Sequence, residues 1–67
     1  MTKKEIREIL VGSIKDGYIK FKDEATKDAY LETIKKEGVD TFWETLDWES
    51  TLDEEALEAL QDEWEGA

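Results

Sequence analysis

The chain contains no histidine, no cysteine and no proline. Without histidine or cysteine there is no imidazole base, no thiolate nucleophile, no soft-metal site and no disulfide. Zinc centres, cysteine nucleophiles and histidine-based triads are therefore excluded. Carboxylates, hydroxyls, amines and two tyrosines remain. Long apolar runs are absent as well. The N-terminal stretch MTKKEIREILVG is interrupted by charges, so it reads neither as a signal h-region nor as a membrane span. A chain of 67 residues is one domain at most, and at this length folding buries only about 60% of the unfolded surface. An enclosed catalytic cleft does not fit. Leu, Ile, Val and Phe total 15 of 67, close to the roughly 20% below which charged chains stay disordered, so the core is thin. The lack of cysteine fits an intracellular, cytoplasmic protein that needs no covalent staple.

What is abundant is charge, and it is segregated. All nine basic residues lie between Lys3 and Lys36, where they meet seven acids, so residues 1–36 are net +2. Residues 37–67 hold twelve acids and no base, net −12, together with all three tryptophans. By electrostatics the second half repels nucleic acid and anionic lipid and attracts basic partners.

Helical spacing organises most of the chain. Thr2 and Glu5 have capping-box spacing, and Ile6, Ile9, Leu10 and Ile14 follow at helical intervals, predicting a helix near 3–15 that Asp16-Gly17 stops. Gly12 inside it predicts another backbone packed close by. Residues 18–22, YIKFK, read as a short strand or an extended connector. Asp23 is expected to cap a second helix near 24–37, with Ala29, Tyr30 and Ile34 as its stripe and Gly38 as its end. Thr41 and Glu44 repeat the capping-box spacing before a short helix over Phe42–Trp48. The rival reading is a strand at 39–43 paired with 18–22. Thr51 and Glu54 make a third box before a last helix near 52–64, with Ala56, Leu57, Leu60 and Trp64 as its stripe. The expected fold is a mainly α, small helical bundle of three to four helices, with at most one short two-stranded β pairing; α+β is the alternative.

The last helix concentrates the charge. Over about 20 Å it carries Asp53, Glu54, Glu55, Glu58, Asp62 and Glu63, about one carboxylate per 3.3 Å against roughly 3.4 Å per phosphate along a DNA strand. Glu54, Glu58 and Asp62 form an i, i+4, i+8 ridge, and each like-charge step costs about 0.2–0.5 kcal/mol in an isolated helix. Asp62, Glu63 and Glu65 also crowd the negative end of the helix dipole, so no local folding reason explains them. A solubilising surface ordinarily mixes both signs, which favours a functional reading of this face. Trp64 continues the core stripe. Trp43 and Trp48 would point about 140° apart on one helix, so Trp48, between Asp47 and Glu49, is expected to be exposed as an interface anchor. The expected partner-binding set is Asp47, Trp48, Glu49, Glu54, Glu55, Glu58 and Asp62.

Calcium is disfavoured. Asp47, Glu49, Thr51, Glu55 and Glu58 fall at loop-like spacings, but Leu52 occupies the position where such a loop needs glycine. No metal, cofactor or catalytic residue is expected, and paired carboxylates without a cleft do not make a glycosidase.

The base-free stretch EGVDTFWETLDWESTLDEEALEALQDEWEGA and the short length resemble, at the level of profile, small acidic proteins that bacteriophages encode against host nucleic-acid enzymes, including DNA-mimic anti-restriction and anti-CRISPR proteins. That resemblance implies a non-catalytic inhibitor occupying the basic site of a nuclease, restriction enzyme or CRISPR effector in the host cytoplasm. It implies no direct nucleic-acid binding. The N-terminal lysines depart from a uniformly acidic mimic. An antitoxin- or adaptor-like module docking an amphipathic helix into a partner's groove is the alternative, and an oligomerising structural subunit is the third reading.

Overall fold

In the computed structural model, which describes residues 1–67, the order is α1 (Lys3–Asp16), α2 (Glu24–Glu37), α3 (Val39–Thr45), a 3-10 turn (Trp48–Ser50) and α4 (Glu54–Gly66). The mainly α bundle holds. α2 packs most extensively on α3, and α1 lies against both α2 and α4.

The first two helices begin as the local chemistry dictates. The Thr2 side chain accepts from the Glu5 N–H at 3.2 Å while the Glu5 carboxylate accepts from the Thr2 N–H, a complete capping box. Asp23 accepts from the Thr26 N–H at 2.7 Å. α1 ends at Gly17, whose φ of 84° is the left-handed conformation glycine supplies without a Cβ penalty. α1 buries Ile6, Leu10 and Ile14, while Ile9 stays 43% exposed. Beyond its chain neighbours and its own helix backbone, nothing lies within 4 Å of where a side chain at Gly12 would start, so the expected close contact with another backbone is not there. In α2 the buried face turns one position from the expected stripe: Ile34 is buried, Tyr30 and Leu31 are half-buried, and Ala29 faces solvent.

Gly38 decides the middle of the chain. At φ 98°, ψ 173° it adopts a conformation almost reserved for glycine, and it alone joins α2 to α3. Residues 39–45 therefore turn straight back into helix, burying Val39 and Phe42. That overturns both earlier expectations here. There is no strand at 39–43, and the short helix runs from 39 to 45 rather than 42 to 48. Thr41 lies inside it and does not cap; its hydroxyl reaches the Glu37 carbonyl.

Residues 18–22 are a connector without a strand: Tyr18 and Ile19 fold back to donate to the Ser13 carbonyl, and residues 20–22 pair with 50–52 instead. A single antiparallel bridge joins Phe21 to Thr51, flanked by Lys22 N–H to the Ser50 carbonyl and Leu52 N–H to the Lys20 carbonyl, both 2.8 Å. Thr51 is consequently spent on this bridge. Its hydroxyl donates to the Lys20 carbonyl at 2.9 Å and accepts from the Asp53 N–H at 3.1 Å. It does not cap α4, which starts two residues later than its sequence suggests, after Asp53. The Asp53 carboxylate accepts from the Lys20 N–H at 2.6 Å.

Leu10, Ile14, Ile19, Phe21, Ile34, Val39, Phe42, Leu46 and Leu57 form one buried cluster. α4 contributes only Leu57 to it as a fully buried side chain, with Leu60 and Trp64 packed at its edge. No helix is long and apolar enough to cross a membrane.

Candidate functional site

A run of aromatic rings leads from the core to the surface. Phe21 meets Tyr30 at 5.3 Å between centroids, Tyr30 meets Phe42 edge-on at 5.4 Å, Phe42 meets Trp43 at 4.9 Å, and Trp43 stacks on Trp48 at 6.5 Å. Trp48 is thus held in place by packing against Trp43. Both Trp43 and Trp48 are half-buried. The expected 140° divergence does not arise, because α3 ends at Thr45 and the extended Leu46 and Asp47 fold Trp48 back over Trp43. The Tyr30 hydroxyl accepts from the Asp47 N–H at 2.8 Å, and the Asp47 carboxylate accepts from the Glu49 N–H at 3.0 Å, so this turn is clipped on both sides.

Against Trp48 lies the outer face of α4. Trp48, Glu54, Glu58, Gln61 and Asp62 line an open groove of about 500 Å³. The structure therefore brings together Trp48 and the i, i+4, i+8 ridge, four of the seven expected site residues. Asp47, Glu49 and Glu55 are exposed but do not line this groove. Gln61 was missed, although its position one turn from Glu58 and two turns from Glu54 marks it as part of the same face. Along the ridge alone the carboxylates recur about every 6 Å, so the groove presents charge at about every second phosphate spacing and the neighbouring acids supply the rest.

The acids of the second half have few partners. The molecule has two ion pairs, Lys27–Glu24 at 3.3 Å and Lys36–Glu32 at 3.1 Å, both within α2. Of the twelve acids after Lys36, three serve the fold by accepting hydrogen bonds: Asp47, Asp53, and Asp40, which accepts from the Trp64 indole N–H at 2.7 Å. The remaining nine have neither ion pair nor side-chain hydrogen bond and are exposed. Trp64 is half-buried, clamped by Asp40 on one side with the Lys3 ammonium 4.9 Å from its ring centroid.

Shifted carboxylates occur only at the helix caps of the first half. The Thr2 backbone N–H holds the Glu5 carboxyl below its usual range, and the Thr26 backbone N–H does the same for Asp23. No group of three or more carboxylates is gathered closely enough to hold a metal ion. No protein-family model, curated protein or solved structure matches the chain.

Proposed function

We propose that the protein is a non-catalytic inhibitor whose acidic face occupies the basic nucleic-acid site of a nuclease, restriction enzyme or CRISPR effector in a host cytoplasm. The observation that carries this reading is the unneutralised ridge of Glu54, Glu58 and Asp62 set beside a rigidly packed indole. Nine lysines and arginines are present in the same small molecule, yet none pairs with those acids. Lysines and arginines of a partner would find carboxylates with no internal competitor, steered by charge at long range and anchored at short range on Trp48. The apolar stripe of α4 faces the protein's own core, which supports this reading over docking of that stripe into a partner's groove.

Competition is the test. Once a partner is captured, pre-bound DNA or RNA is expected to block binding, and affinity is expected to fall steeply with salt. Reversing Glu58 and Asp62 to Lys abolishes inhibition while the helix persists, since both side chains are exposed and Lys forms helix about as well as Glu. Simultaneous binding of nucleic acid and this protein with undiminished affinity would falsify the mimicry.

A further inference from the structure

A second concavity lies in the other half, between α1 and α2. Val11, Leu31 and Ile34 floor an open groove of about 490 Å³. Its rim carries Arg7, Lys15 and Lys35 against Asp28 and Glu32. Glu32 is already engaged by Lys36, whereas the three cations have no ion-pair partner, so the free charge of the rim is positive. This groove suits an apolar side chain surrounded by carboxylates.

The chain itself carries such a group. Its exposed large apolar residues are Met1, Ile9, Tyr18 and Leu52. The first three lie in the half that holds every base. Leu52, 63% exposed, stands in the base-free half and is followed directly by Asp53, Glu54 and Glu55. The Asp53 carboxylate is tied to the Lys20 N–H, but Glu54 and Glu55 are exposed and without partners.

We infer that the α1/α2 groove is a self-association site that takes Leu52 of a second copy onto Val11 and Leu31, with that copy's Glu54 and Glu55 meeting Arg7, Lys15 and Lys35. Groove and knob are different surfaces, so the contact is heterologous and each copy can both give and receive. The contact is far smaller than the roughly 1,200 Å² of a stable interface, and the expected Kd is on the order of 0.1–1 mM. Because Glu54 belongs to the acidic ridge, self-association and a basic partner compete. The inference does not depend on the inhibitor reading.

Sedimentation velocity of the full chain tests it with two variants altered only at exposed positions. The wild type is expected to show a sedimentation coefficient that climbs with concentration. Leu52→Ser, which lacks the knob, and the double variant Lys15→Glu with Lys35→Glu, which lacks the basic rim, each remain monomeric alone. Mixed together, they pair once through the intact groove of the first and the intact knob of the second, and assembly stops at a heterodimer. Circular dichroism of each variant confirms that the helices persist. A wild type that stays monomeric to about 1 mM, association that survives in both variants, or a mixture that fails to pair overturns the inference. Neither groove substitution touches Glu54, Glu58 or Asp62, so loss of self-association and loss of inhibition are read separately.

Discussion

The two halves of this molecule obey local rules to different degrees. In residues 1–36 both helices start at side-chain caps, both ion pairs are present, and the cap carboxylates are stabilised in their charged form. In residues 37–67 neither capping-box spacing makes a cap, no acid is ion-paired, and α4 is held by one buried leucine, a clamped tryptophan and the Thr51–Asp53 tether. The lesson is one of competition. A threonine hydroxyl caps only where a helix starts at it and no other group claims it: α3 already starts after Gly38, leaving Thr41 inside with its hydroxyl on the Glu37 carbonyl, and the Thr51 hydroxyl is taken by the distant Lys20 carbonyl.

Leu57→Ala is expected to have the largest effect. Removing the one fully buried side chain of α4 costs about 2–5 kcal/mol, enough to release the acidic helix in a domain this small; urea titration reads the loss, and a change below about 1 kcal/mol would contradict the assigned role of Leu57. Next comes the contrast between two threonines of equal capping spacing. Thr51→Val strands the Asp53 N–H and severs a link between the halves, costing about 1–3 kcal/mol. Thr41→Val, on α3, is expected to cost less than about 0.5 kcal/mol. Similar losses at both sites would show that the bridge between the halves does not distinguish them.

Gly12→Ala is expected to stabilise the protein by about 0.5–1 kcal/mol, because the helix gains a better former and nothing stands where the methyl goes. A lower melting temperature would mean that something does pack there.

The smallest effects concern solvent. Glu5 and Asp23 have folded-state values below their unfolded ones, so their contribution is present above the unfolded range and is lost as pH falls through the lowered values. Asp23→Asn keeps a capping acceptor that does not titrate there, and its thermal unfolding is expected to depend less on pH below about 4 than that of the wild type. Raising salt from low to moderate concentration shortens the screening length to about 8 Å and is expected to raise the melting temperature slightly. An unchanged value would mean that the carboxylates are too well spaced to repel.

Much of the fold was legible because it is local. The starts of α1 and α2, their glycine ends and the dominance of helix follow from capping chemistry and period, which involve groups within a few residues of one another. The ridge of Glu54, Glu58 and Asp62 was legible for the same reason, since helical spacing alone aligns it. Three features were not. The pairing of Lys20 and Lys22 with Ser50 and Leu52, the stacking of Trp48 on Trp43, and the clamp of Asp40 on Trp64 join residues whose proximity depends on where the chain turns.

By itself the sequence determined the helical content, the segregation of charge and the alignment of the acidic ridge, because each depends on the kinds and intervals of neighbouring residues. Tertiary structure alone decided which hydroxyls cap and which bridge, how deeply each tryptophan is covered, and that Trp48 stands beside the ridge. The physical reason is that a hydrogen-bonding group or an aromatic face has several partners of similar energy within reach of a flexible chain. Only the packing of Leu57, Phe42 and Ile34 into one core fixes which of those partners is present.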